Sequence, residues 1–297
     1  MKLARVFPRR TRATPGDDLV FIGGPGLYPP EVDKVNISVS FTWDIPEAER
    51  LALAWEPVAP VEVGGPALKT PAGEFIPGQY LRHGYTITSR GCPLKCWFCP
   101  VWKAEPQTIE LPIKDGWLVQ DDNFLACSEK HVRAVFAMLK RQPRKKGKSQ
   151  VQFTGGLEPA FLKDWHVGLL ADLKPAQIFS AYDTPDDLEP LIVAGQMLQA
   201  AGFKFSHKTL RCYVLIGYDK DTLEAADKRM HQVIDAGFWP MAMLWRDLHT
   251  GRVDKSWGRF QRLWSRPAIM YARLNPKTPL YVEDQSGSLF SAGGSNA

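Results

Sequence analysis

Three cysteines crowd into one short segment, Ser89-Arg90-Gly91-Cys92-Pro93-Leu94-Lys95-Cys96-Trp97-Phe98-Cys99-Pro100. Thiolates at C-x3-C-x2-C spacing on a tight loop suit three irons of a cubane [4Fe–4S] cluster. The fourth iron is then left without a protein ligand, and an open position is what a catalytic metal site needs and a structural one avoids. Gly91 and Pro93 fit a loop wound closely round a cluster. Two plainer readings start from the same residues: a zinc site and an electron-transfer cluster. Zinc requires a fourth ligand; Cys127 is the nearby thiol, and no His-x3–5-His pair lies close. Cys212 is the fifth cysteine, and an odd count with three clustered argues against a disulfide framework and for a reducing compartment.

The elements that must position this loop are legible from Tyr85 onward as alternating strand-like and helix-like runs. Tyr85 to Ser89 is an apolar run that ends in the cysteine loop, and Trp117 to Gln120 is a second run, ending in Asp121-Asp122-Asn123. A helix follows, with Val132, Val135, Phe136 and Leu139 at helical spacing and Ser128 as its N-cap. Val151 to Thr154 is a third strand closed by Gly155-Gly156, and Pro159 opens a helix carrying Phe161, Leu162, Trp165 and Leu169. Ile178 to Tyr182 is a fourth strand. Thr184-Pro185-Asp186-Asp187 caps the next helix, which stops at Gly202. Leu210 to Gly217 reads as a strand covered on both faces, Thr222 to Ala236 as a helix, Trp239 to Trp245 as a sixth strand, and Arg252 to Leu274 as partly helical. The Gly- and Ser-rich tail after Pro276 is expected to be disordered.

Six strand–helix units in series imply α/β architecture with a parallel sheet, open or curled into a partial barrel. In such sheets the site lies at the carboxyl ends of the strands. The cysteine loop, Asp121-Asp122-Asn123, Gly155-Gly156 and Asp183 should therefore meet on one rim. Before Tyr85, Val35 to Phe41, Pro46 to Trp55 and Pro60 to Gly64 form one expected βαβ unit, preceded by the Gly- and Pro-rich stretch Gly23 to Pro30. The division is an extension over 1–80, a core over 81–250, and a C-terminal helix with a tail over 251–297.

The 297 residues and 44% hydrophobic content suit one large domain with an extension, or two modest ones. No apolar run approaches the roughly eighteen residues needed to span a bilayer. Met1 to Arg12 is basic with no apolar segment behind it, so a secretory signal is not expected and the cytoplasm is. The formal charge of +5 decides little; its clearest run, Arg144 to Lys148, reads as a solvated loop rather than a nucleic-acid patch.

The cysteine motif, with Phe98 as the aromatic residue before its last cysteine, resembles the signature of the radical SAM superfamily. The resemblance covers about residues 80 to 250 and implies a partial (β/α)6 barrel, a [4Fe–4S] cluster on Cys92, Cys96 and Cys99, and S-adenosylmethionine (SAM) chelated by the unligated iron. An electron passed into the sulfonium would release a 5′-deoxyadenosyl radical that takes a hydrogen from substrate. An electron donor such as flavodoxin or ferredoxin is implied too. Asp121-Asp122-Asn123 is similar to a second-strand variant that binds the SAM amino group in cobalamin-type members, without a choice between the acids; its plain alternative is a turn. Gly155, Gly156 and Glu158 could approach SAM or substrate, with helix capping as the alternative for Glu158. Asp183 stands where the family places a ribose-binding group; the plain alternative is that it only helps start a helix. Val214-Leu215-Ile216-Gly217-Tyr218 resembles the segment that packs beside adenine, with Ile216 and Gly217 as contacts or ordinary core. Arg246 is a candidate for a substrate anion or a solvated side chain. Cys127 and Cys212 read as buried thiols, and Cys127, next to a rim loop, keeps a hydrogen-donor role open.

Residues 32 to 68, with Val61-Glu62-Val63-Gly64-Gly65-Pro66, resemble the last βαβ portion of a cobalamin-binding domain. They are too few for a whole one, and no His precedes His83 to serve as a ligand. A cobalamin-free remnant acting as a cap is expected. The leading function is reductive cleavage of SAM to modify an unknown substrate. The alternatives are a radical SAM methyltransferase acting on nucleic acid or peptide, and a non-catalytic zinc or Fe–S module with a basic face toward nucleic acid.

Overall fold

The computed structural model describes residues 1–68, 74–246, 251, 254–265, 269–270, 281–283 and 289–291. Alternation in Leu3–Phe7 (β1) buries Ala4 and Val6, and Val35 and Ile37 do the same on Lys34–Ser38 (β3). Between them in sequence lies Val20–Ile22 (β2); Val61–Gly64 (β4) completes a parallel sheet of order β2-β1-β3-β4. The apolar face is covered by Ile45–Trp55 (α1) through Ala48, Leu51 and Trp55. The opposite face is polar and is strapped by the segment leading to the core. The Arg5 guanidinium donates to the carbonyls of Gly78 (3.2 Å) and Gln79 (3.0 Å), and Asn36 Nδ2 donates to Tyr80 Oη (2.7 Å). The N-terminal unit is thus a four-stranded sheet with its own core and not a lone βαβ. Leu3–Phe7 escapes notice in the sequence because Arg5 interrupts it and basic residues flank it.

The larger sheet is parallel throughout and holds Tyr85–Thr86 (β5), Leu118–Val119 (β6), Gln152–Phe153 (β7), Gln177–Tyr182 (β8), Leu210–Ile216 (β9) and Trp239–Leu244 (β10). Each strand lies beside its neighbour in the chain. Glu129–Lys140 (α2), Asp164–Leu173 (α3), Leu188–Ala200 (α4), Leu223–Asp235 (α5) and Lys255–Ser265 (α6) contribute Val135, Leu170, Leu198, Val233 and Trp264 to one core with the strands. The chain is therefore mixed α/β with parallel sheets.

Local chemistry places most ends. The Ser128 hydroxyl accepts from His131 N–H at 3.3 Å, and Thr222 accepts from Ala225 N–H at 3.1 Å. Other expectations shift. Pro159–Phe161 is a single 3-10 turn, and α3 begins only at Asp164. The first crossover has no long helix: Ser89–Arg90 turns aside to pair antiparallel with Ile109–Glu110, and only Val101–Ala104 is helical. Leu210–Ile216 is not dry on both faces, since Arg211 and Tyr213 are only part-buried. Arg144–Lys148 is exposed as expected, but it forms part of a two-residue hairpin turning at Lys146 and Gly147, both with positive φ. The tail expected to be disordered holds an antiparallel pair, Tyr281–Glu283 with Leu289–Ser291. Among the described residues no helix is long and apolar enough to cross a membrane.

Candidate metal and cofactor site

The cysteine loop leaves the end of β5 and is anchored to the end of β6 by the two acids. Asp121 is buried, and its carboxylate accepts from Thr88 N–H (2.6 Å), Thr88 Oγ1 (2.5 Å) and Ser89 Oγ (3.0 Å). Burial pushes its pKa up, against the lowering effect of those bonds. Asp122 accepts from Gly91 N–H at 2.9 Å and from the Arg90 guanidinium at 3.3 Å. Both acids thus hold the loop, a role that neither the SAM-binding nor the simple-turn expectation contained. Gly91 is required where the loop turns: its φ is +83°, and a Cβ there would lie 2.0 Å from the Gln107 carbonyl oxygen.

Asn123 points a different way. Its Nδ2 donates to Cys92 Sγ at 3.3 Å, while its Oδ1 is buried with no partner. Cys92, Cys96 and Cys99 are all part-buried free thiols. Cys96 is pushed up to about 11, first by burial and then by the neighbouring Cys99 and Cys92 thiols, so the three sense one another. Burial also raises Cys99. Trp102 Nε1 donates to the Cys96 carbonyl at 2.8 Å, fixing the loop's far side. Among the described residues no group of three or more His, Cys, Asp or Glu side chains is gathered to hold one metal ion.

The remaining strand ends close the rim. Gly155 follows β7 and packs against the β6 end so tightly that a Cβ would lie 2.0 Å from the Asp121 carbonyl oxygen. Gly156, at φ +99°, has nothing within 4 Å of its Cβ position, so it borders open space. Glu158 accepts from Ala160 N–H at 3.3 Å and so caps the 3-10 turn, and burial raises its pKa. Asp183, after β8, accepts from Leu215 N–H at 3.0 Å on β9. Burial, then repulsion from Asp187, carries its pKa from 3.8 to about 7. Ile216 is fully buried in the core, so its side chain faces no ligand. Gly217, at φ +72°, donates its N–H to Asp221 at 2.8 Å.

One of two aromatic contacts that the motif does not reveal joins the loop to the fifth strand end. Trp97 packs edge-on against Tyr218, ring centres 5.5 Å apart, and against Phe98 at 5.4 Å. A tryptophan between two cysteines of the motif was the available signal. Cys127 is pushed up to about 11 by burial, and Cys212 is fully buried. Arg246 is exposed, as the solvated reading expects, and its guanidinium lies 5.8 Å over the Trp43 ring of the N-terminal unit.

Comparison with known families finds no family model that matches the chain, and no curated protein matches it.

Proposed function

We propose that this chain is a radical SAM enzyme, with Cys92, Cys96 and Cys99 holding a [4Fe–4S] cluster at the rim of a partial (β/α)6 barrel. The observation that carries the reading is the C-x3-C-x2-C loop fastened across the carboxyl ends of a parallel sheet, beside a buried acceptor without a partner, Asn123 Oδ1. Six parallel strands lie in consecutive order; right-handed crossovers, the general rule for such units, would put the helices on one outer face and leave the inner face free to curl. That supports the barrel over a doubly wound sheet.

When bound, the cluster and SAM supply a one-electron reductive cleavage of the sulfonium. The chain's own residues do the rest. Asn123 Oδ1 accepts from the SAM ammonium group, which supplies its missing partner. Asp121 and Asp122, committed to Thr88, Ser89 and Gly91, keep the loop in place. Gly156 lets the cofactor approach the backbone, and the part-buried Asp183 carboxyl accepts from or donates to ribose hydroxyls. Trp97 and Phe98 shield the thiolates from water. Cobalamin, possible on the resemblance of residues 32 to 68 but not expected there, is left out of the proposal. The substrate is unassigned, and a small flavodoxin- or ferredoxin-like donor is the expected electron source.

Anaerobic reconstitution with iron and sulfide tests the metal assignment. About four irons and four sulfides per chain are expected for the wild type, with loss of both in C92A, C96A and C99A. Stoichiometric zinc with no sulfide would remove the proposal.

A further inference from the structure

A second concave site lies in the N-terminal unit, away from the cysteines. Its sheet runs β2-β1-β3-β4, so the chain reverses direction between β1 and β3. In open α/β sheets the crevice outside the carboxyl ends at such a switch point is where ligands bind. Here that crevice is a shallow cleft of about 50 Å³, open to solvent and lined by Phe7 at the end of β1 and Arg9 after it, Ser38 at the end of β3 with Phe41 and Asp44 after it, and Tyr80 from the strap.

Planar groups stack along one side of the cleft, and exposed arginines flank it. Arg9 is held by an ion pair with the buried Asp44 and lies 6.0 Å over the Phe41 ring. Phe41 stacks on Trp43 at 4.9 Å with the planes 9° apart, and Arg246 lies 5.8 Å over Trp43. Four planar groups thus run in succession from the cleft to the end of β10. Arg10 and Arg12 on the same loop as Arg9 are exposed, and so is Arg82, whose N–H donates to the Ala13 carbonyl. Asp17 sits further along the loop, paired with Arg5.

We propose that this edge binds single-stranded nucleic acid: bases cap the exposed ends of the stack at Arg9 and Arg246, and the phosphates track Arg10 and Arg12. Guanidinium planes and aromatic rings beside a basic track are what unpaired bases and a phosphate backbone require. A single small phosphate would not use cations spread from Arg12 to Arg246. The site stands independently of the cluster, and C96A is expected to bind as the wild type does.

The test is fluorescence anisotropy of the full chain with a labelled single strand of roughly ten nucleotides, from about 50 mM salt upward. R10E/R12E is expected to bind at least tenfold more weakly, with a log Kd against log salt slope shallower by about 1.4, the value for two lost single-strand contacts. F41A is expected to weaken binding without changing that slope. K145E/K146E, the same charge change on the exposed hairpin, is expected to bind normally. The proposal is overturned if the wild type gives no anisotropy change, if both double variants lose equal affinity, or if duplex of the same length binds as well as single strand.

Discussion

Replacing Asp121 by alanine isolates the claim that this carboxylate anchors the cysteine loop and is not a cofactor ligand. Its two oxygens satisfy Thr88 N–H, Thr88 Oγ1 and Ser89 Oγ, all on residues with no exposed surface. The two hydroxyls can turn toward other acceptors; the Thr88 N–H cannot. Each buried donor left without a partner costs about 1–3 kcal/mol. One certain orphan and two that partly recover give a gross cost of about 3–5 kcal/mol. Removing a carboxylate whose burial already disfavours its charge offsets part of that. D121A should therefore lose about 2–4 kcal/mol in urea unfolding of the reduced, metal-free chain, while D121N, which keeps an acceptor for Thr88 N–H, should lose about 1 kcal/mol. Coincident midpoints for wild type and D121A would refute the anchoring argument.

Three further outcomes are expected. Asp183, raised to about 7, binds a proton in the folded chain that the unfolded chain releases near 4, so its contribution to stability falls as pH rises from about 4 to about 7. The full effect is at most about 4 kcal/mol; D183N, which keeps the Leu215 contact, should flatten that decline in melts across this range, and an unchanged pH profile would contradict it. G155A should lose several kcal/mol, since its Cβ would lie 2.0 Å from backbone oxygen, whereas G156A should lose only about 1–2 kcal/mol from its left-handed φ; equal melting points would contradict the packing account. N123L should leave reconstituted iron content near wild type but weaken SAM binding by calorimetry at least tenfold, about 1.4 kcal/mol for one lost partner, and unchanged affinity would remove Asn123 from the site.

Much of the core was legible because its signals are local. Ser128, Thr184 and Thr222 cap helices through side chains within a few residues, and each strand from Gln177 to Leu244 is a continuous β-rich run. The N-terminal sheet was only half legible: Leu3–Phe7 and Val20–Ile22 are short, and what makes them strands is pairing with residues up to about thirty positions away. Motif reading put Asp121, Asp122 and Asn123 at the site, but their division of labour depends on which oxygen meets the folded-back loop. Of the two readings open for Ile216, the packing favours ordinary core, where Cys212, Val214 and Ile216 lie together. The contact of Trp97 with Tyr218 joins segments more than a hundred residues apart, and a tryptophan between two motif cysteines was its one local signal.

The central claim is that the three cysteines hold a cluster that cleaves SAM, and one measurement addresses it directly. Reconstituted chain is incubated anaerobically with SAM and dithionite, and 5′-deoxyadenosine is quantified by mass spectrometry beside the C96A variant. The nucleoside is expected from the wild type, in an amount that grows with time, and not from C96A. A wild type that carries its full complement of iron and sulfide, binds SAM and yields no more nucleoside than C96A would contradict the account.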